Sequence, residues 1–190
     1  FGLKYNSTAT VVNEIFCSAL GDPHNFYKYQ GISTDSFSAT VGADGEFTGA
    51  CVFGDYPVFF KENCIITVFG NSPSSYQTSI SYYPGVKKGC SRSLTVVDGV
   101  LYYYSTEGFM AYTGGVPYRI DDDLAGRCGR AVRYSEVLAG ADRGKIYFQA
   151  KEEGEGGGCH ILVYDTYRRL WHEEGLYLPN PDAGSGSLAV

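Results

Sequence analysis

The chain has 190 residues and a formal net charge of −6, long enough for one domain with a sizeable core. Its acidic balance, with no basic cluster longer than the pairs Lys87-Lys88 and Arg168-Arg169, argues against nucleic acid or an anionic membrane surface as the main partner, since both need a clustered positive field. No apolar run approaches the roughly 20 residues of a membrane-spanning helix, and the 17 Tyr, 11 Phe and 25 Gly favour strands joined by tight turns.

In chain order, Phe1 to Tyr5 reads as an opening strand and "NEIFCSA" at Asn13 as the next. "LGDPHNFYKYQG" then reads as a loop, because Pro23 cannot donate to a ladder. "TGACVFGDY", "YPVFFKE" and "CIITVFG" read as three strands, with a turn at Lys61-Glu62-Asn63. "SLTVVDG", "GVLYYYS", "FMAYTGG" and "VPYRI" follow, with a turn over Ser105 to Gly108. "EVLAGADRG", "GKIYFQA", "HILVYDT" and "RRLWHEE" follow in turn, with a glycine-rich turn over Lys151 to Gly158. "LPNPDAGSGS" reads as a loop between units, and the closing "SGSLAV" is like "SRSLTV" at Ser91.

These elements repeat. Ile15, Val58, Leu101 and Ile146 are aliphatic anchors spaced 43, 43 and 45 residues apart, each followed by an aromatic residue: Phe16, Phe59, Tyr102 and Tyr147. A unit of about 40 to 45 residues with four short strands is the signature of a propeller blade. The expected fold is therefore all-β, a β-propeller-like arc of about four four-stranded blades forming a single domain over 1–190. The units fall at 1–43, 44–89, 90–133 and 134–178, with 179–190 opening a further one. A chain that begins at Phe1 and stops inside a fifth unit reads as a piece of a larger propeller; a pair of sandwiches is the competing fold. Tyr164, aligned with Tyr112 and Phe69, and Trp171 are expected to pack rather than to catalyse.

"YDTYRRLW" together with Gly114-Gly115 is similar to kelch repeats, which carry a glycine doublet and a Tyr…Trp pair in each blade. Here the doublet and Trp171 fall in different units. Over most of the chain the ordered phrases S-A-L-G-D-P, S-T-D-S, D-G-x-F-T-G, F-F-K-E, Y-x-G-G-x-P and V-Y-D-T resemble propeller proteins of bacterial phage and prophage structural regions, grouped loosely with tail-accessory or stabilisation proteins. That resemblance implies a non-enzymatic structural or protein-docking module of a phage tail or neck. It would be assembled in the bacterial cytoplasm, with other phage structural proteins or the remaining blades of its own parent as partners. It carries over no catalytic residues.

Candidate chemistry is sparse. His24, His160 and His172 lie in no nucleophile elbow; His160 reads as a hairpin-tip residue and His172 as facing away from Trp171. Single changes at His160 or Asp122 are expected to leave assembly intact. Asp121-Asp122-Asp123 reads as a solvated turn, and neither it nor "GADGE" at Gly42 to Glu46 has the spacing of a calcium loop. No catalytic, cofactor-binding or metal residues are expected, no cofactor and no small-molecule ligand. The six cysteines, Cys17, Cys51, Cys64, Cys90, Cys128 and Cys159, contain no C-x-x-C pair and read as buried free thiols of a reducing compartment. The candidate docking residues are Asp22, His24, Phe26, Tyr27 and Tyr29, since loops on propeller faces meet partners and Tyr is enriched at hot spots; strand packing is their alternative role. The competing function is a carbohydrate-binding or glycosidase-like propeller that recognises a bacterial surface glycan.

Overall fold

Residues 1–6, 12–124 and 132–177 are described by a computed structural model. Cys128, the loop expected from Leu178 and the strand expected at Ser185 to Val190 lie outside the described residues. The described chain is all-β, with two short 3₁₀ turns at Pro73–Ser75 and Ser91–Ser93. It gathers into two compact units, Phe1–Val86 and Lys87–Val190.

The first unit holds two antiparallel meanders. One has three strands, β1 (Gly2–Asn6), β2 (Val12–Cys17) and β3 (Phe37–Thr40); the other has four, β4 (Gly49–Phe53), β5 (Tyr56–Lys61), β6 (Cys64–Phe69) and β7 (Gln77–Ser81). The second unit holds two four-stranded meanders. These are β8 (Thr95–Val97), β9 (Val100–Ser105), β10 (Gly108–Tyr112) and β11 (Tyr118–Arg119), then β12 (Tyr134–Asp142), β13 (Lys145–Glu152), β14 (Cys159–Asp165) and β15 (Leu170–Tyr177).

The four anchors occupy one topological position. Ile15, Val58, Leu101 and Ile146 all lie on the second strand of their sheets, at 0%, 1%, 0% and 0% exposure. Turn chemistry sets three of them there. Gly54-Asp55, Asp98-Gly99 and Arg143-Gly144 are two-residue hairpin loops immediately before the anchor strands. Asp98 and Gly99 have φ of 50° and 76°, and Arg143 and Gly144 have 46° and 74°. Two consecutive positive φ angles match the twist of the flanking strands.

Two expectations about the sheets need correction. Among the described residues the first sheet has three strands, not four, because only eight residues separate Thr40 from Gly49. Those residues are already committed. Val41 extends the ladder to Asn13, Val41 and Ala43 enter the core, and the Thr48 amide bonds the Phe60 carbonyl beside β4. In the second sheet Thr67, not Phe69, lies opposite Val58, whereas Tyr112 and Tyr164 do oppose Leu101 and Ile146. The β5 arm from anchor to turn is one residue shorter than that of β9, which moves the opposing residue by two. Phe69 stays 43% exposed, against Tyr56.

The first unit's sheets share a core of Ile15, Val41, Ala43, Phe59, Cys64, Ile66 and Val68, with Leu3, Phe47, Tyr76 and Ile80 packed on it. At its edge sits a fully buried cation. Lys61 is 0% exposed, and its ammonium donates to Asn13 Oδ1 at 2.7 Å, the Ala43 carbonyl at 2.6 Å and the Gly45 carbonyl at 2.7 Å. The Asn13 amide nitrogen in turn donates to the Val41 and Ala43 carbonyls at 2.7 and 2.5 Å. Burial pushes the Lys61 pKa down, with Cys64 and Asp44 opposing it. The "GADGE" segment thus does hold a cation, the chain's own ammonium lying over the Phe47 ring.

The second unit's sheets are joined through aromatics. Phe109, 1% exposed, lies 4.8 to 6.0 Å from the rings of Tyr104, Tyr134, Phe148 and Trp171. Trp171 also stacks on Tyr164 at 4.9 Å, and its indole N–H donates to the Ile120 carbonyl at 2.5 Å. Tyr164 and Trp171 are packing residues between two sheets. Asp121 is not in a solvated turn: it is 6% exposed, accepts the Phe109 amide at 3.1 Å and is forked by Arg119 at 2.9 and 2.7 Å. Gly108 (φ 132°) lets that carboxylate approach, since a Cβ there would collide with Asp121 Oδ2. Cys17, Cys51, Cys64, Cys90 and Cys159 are free thiols; burial pushes Cys90, at 0% exposure, up to about 11.

Lys61→Met should destabilise the fold by about 3 kcal/mol in urea unfolding, because it strands buried acceptors. Phe109→Ala should cost about 3–5 kcal/mol, and because Trp171 is the single tryptophan its emission should shift in the folded variant.

Candidate functional site

The five candidate docking residues share one loop, residues 18–36, which links β2 to β3. Its length would be costly to order without internal bonds, and the bonds are present. The Ala19 amide reaches the Asn25 carbonyl at 2.8 Å and the Leu20 amide the Thr34 carbonyl at 2.9 Å. Asp22 and Asn25 each accept a backbone amide two residues on, from His24 at 3.3 Å and Tyr27 at 3.2 Å, the local turn chemistry of Asp and Asn. The Ser36 hydroxyl receives the Lys28 amide and donates to the Asn25 carbonyl, both at 3.1 Å.

Asp35 organises the second half of the loop. Its Oδ2 accepts the amides of Gln30, Gly31 and Ile32 at 2.5, 2.6 and 3.1 Å, and the residue is 8% exposed. Burial alone would raise its pKa; the three amides, with Lys28 nearby, hold it below the usual carboxylate range. Asp35 was not among the sequence candidates. Its signal was the run "GISTDS", an Asp within a Gly/Ser/Thr cluster.

The loop separates its aromatics by role. Phe26 is half-buried, edge-on to Phe16 at 5.3 Å. Tyr27 and Tyr29 are 88% and 58% exposed, and Leu20 and Ile32 are 62% and 51% exposed. The Tyr29 hydroxyl donates to the Phe26 carbonyl at 3.4 Å. Asp22 and His24 are exposed. At the loop's root lies an open cavity of about 350 Å³, whose lining includes Phe1, Cys17, Leu20, Pro23, Pro73 and Tyr76.

The other histidines meet carboxylates. His172 is exposed, on the face opposite Trp171, beside Glu174 at 3.2 Å. His160 is no hairpin-tip residue: it lies on β14 at 1% exposure, with both ring nitrogens 2.8 Å from carboxylate oxygens of Glu152 and Glu173. Burial between two carboxylates makes it part of the core. Among the described residues no three His, Cys, Asp or Glu side chains are grouped as metal ligands, and no helix is long and apolar enough to cross a membrane.

No protein-family model matches this chain, and no curated protein is significantly similar to it. The site is therefore read on its chemistry. An acid-anchored loop displaying two tyrosines and two aliphatic side chains can bury apolar area against a partner at little further ordering cost.

Asp35→Ala should free residues 28–36. Limited trypsin digestion should then cut after Lys28 well before the sheets unfold, whereas the parent chain resists.

Proposed function

We propose that this chain is a non-enzymatic, propeller-type docking module of a phage or prophage tail or neck, engaging other structural proteins through the 18–36 loop. The observation carrying this reading is the exposure of Tyr27 and Tyr29, at 88% and 58%, on a loop tied down by its own hydrogen bonds. Preorganised aromatics lower the entropy cost of association, as tyrosines do in other protein-binding loops. The propeller reading draws its support from the repeat: three of the four meanders begin with a two-residue hairpin, and all four bury an aliphatic anchor on the second strand. The phage assignment draws on the ordered phrases from S-A-L-G-D-P to V-Y-D-T.

The rings of Phe1 and Tyr76 beside the 350 Å³ cavity favour a second reading, recognition of a bacterial surface glycan, since aromatic faces can stack on sugar rings.

The Tyr27→Ala/Tyr29→Ala variant should keep the parent's far-ultraviolet circular dichroism and melting temperature. It should lose co-purification with phage portal and tail-neck proteins, as should deletion of Gly21 to Tyr29. Undiminished co-purification would remove the loop as docking face. A glycan-array signal without protein co-purification would replace the reading by the second.

A further inference from the structure

The buried face of the β12–β15 sheet ends in a charged cluster that the docking reading does not use. Ala150 and Glu152 on β13, His160 and Leu162 on β14, and Trp171 and Glu173 on β15 lie along one face. The register of β15 then breaks: Leu162 pairs with Glu173 but Ile161 with Gly175, so Glu174 is an extra, bulged residue. The bulge interrupts the ladder just where Glu173 reaches His160, and pairing resumes from Gly175 to Tyr177.

His160 Nδ1 lies 2.8 Å from Glu173 Oε1, and Nε2 lies 2.8 Å from Glu152 Oε1. Ionised carboxylates only accept, and a neutral imidazole has one N–H. Satisfying both contacts with ionised partners requires the imidazolium. The side chains of Glu152 and Glu173 are 31% and 34% exposed while that of His160 is 1% exposed, so water reaches the carboxylates more readily than the ring.

We propose that Glu152, His160 and Glu173 form a protonation-operated clasp that holds the bulged segment of edge strand β15 on the sheet and releases it when the imidazole loses a proton. Once the ring is neutral, one nitrogen presents a lone pair to a carboxylate oxygen. Glu152 is tethered a second time, because its Oε2 accepts the Gly158 amide at 3.2 Å. Glu173 stands on the outermost strand of the sheet. The arm that yields is therefore Glu173, and with it the bulged segment of β15.

Other titratable and charged groups flank the cluster. From β12 the Tyr134 ring stands edge-on to His160 at 6.0 Å, and its backbone amide donates to the Tyr104 hydroxyl at 3.1 Å. The nearby cation Lys87 is engaged by Glu153 and by the Tyr134 carbonyl. His172 and Glu174 pair in solvent on the opposite face of β15. Burial alone would lower the His160 pKa, but the hydrogen bonds and charges of Glu173 and Glu152 raise it above the ordinary imidazole value. Glu152 is held low chiefly by its bond to His160, against burial.

The direction of the pH response follows by linkage. With the folded His160 pKa raised, its contribution is complete below the unfolded value of about 6.5 and is lost as pH rises through the folded value. With the Glu152 pKa depressed, its contribution is present above the unfolded value of about 4.3 and is lost as pH falls through the folded one. The clasp is strongest between these limits and opens on the alkaline side.

The test combines a histidine-selective NMR titration of the whole chain with amide-exchange protection factors for residues 171–175 at several pH values. His160 should titrate above the ordinary imidazole value. Protection of the β15 amides should fall roughly tenfold for each unit by which its midpoint is raised, the fall beginning at the unfolded imidazole value and ending above that midpoint. In Glu173→Gln the fall should shrink, and in His160→Gln it should vanish. A His160 midpoint at or below that of an exposed imidazole would overturn the proposal. So would β15 protection that varies with pH equally in the parent and in Glu173→Gln, a comparison that stands even if His160→Gln does not fold.

Discussion

Each sheet in this chain depends on burying one aliphatic side chain on its second strand. Side chains alternate along a strand, so fixing one inward residue fixes the face of every other. The hairpins at Gly54-Asp55, Asp98-Gly99 and Arg143-Gly144 hold three of the anchor strands in register before any long-range contact is made. From there the aromatic residues fall onto predictable sides: Phe59 joins the first unit's core, and Tyr164 meets Trp171 across two strands.

Both units admit charge into otherwise apolar packing, and each does so with its hydrogen bonds made. Lys61 gives its ammonium to three oxygens, two of them backbone carbonyls of the 43–45 segment. Asp121 takes one backbone amide and one guanidinium, and His160 bridges two carboxylates. A buried polar group is tolerable when its hydrogen bonds are made and costly when they are not. The groups differ in what they can do. Of these side chains, the imidazole is the one whose ordinary pKa falls within physiological pH.

The loop of residues 18–36 follows a different logic. Its order comes from Asp, Asn and Ser side chains bonded to backbone within a few residues, not from apolar burial, and so its tyrosines remain outside. Phe26 is the exception that ties the loop to β2 through Phe16. A surface built this way is held in place without being covered, the condition under which exposed aromatics bind with little loss of conformational freedom.

The sequence by itself determined the all-β class, most of the strands and turns and the four anchors, because alternation and turn chemistry act over a few residues and are written locally; it did not single out β3 or β7. It also showed that Tyr164 and Trp171 belong to packing. The tertiary structure alone decided that Lys61 is interior, since its partner Asn13 lies 48 residues away, and that Asp121 and His160 are buried. It decided that the first sheet stops at three strands and that Thr67 faces Val58, outcomes of loop and arm lengths that the repeat spacing averages over. Of the loop's five candidate residues, composition marked the segment, but only folding separated the packed Phe26 from the exposed Tyr27 and Tyr29. Asp35 went unseen for the same reason: an Asp in a polar run reads as solvent-facing until the backbone closes three amides around it.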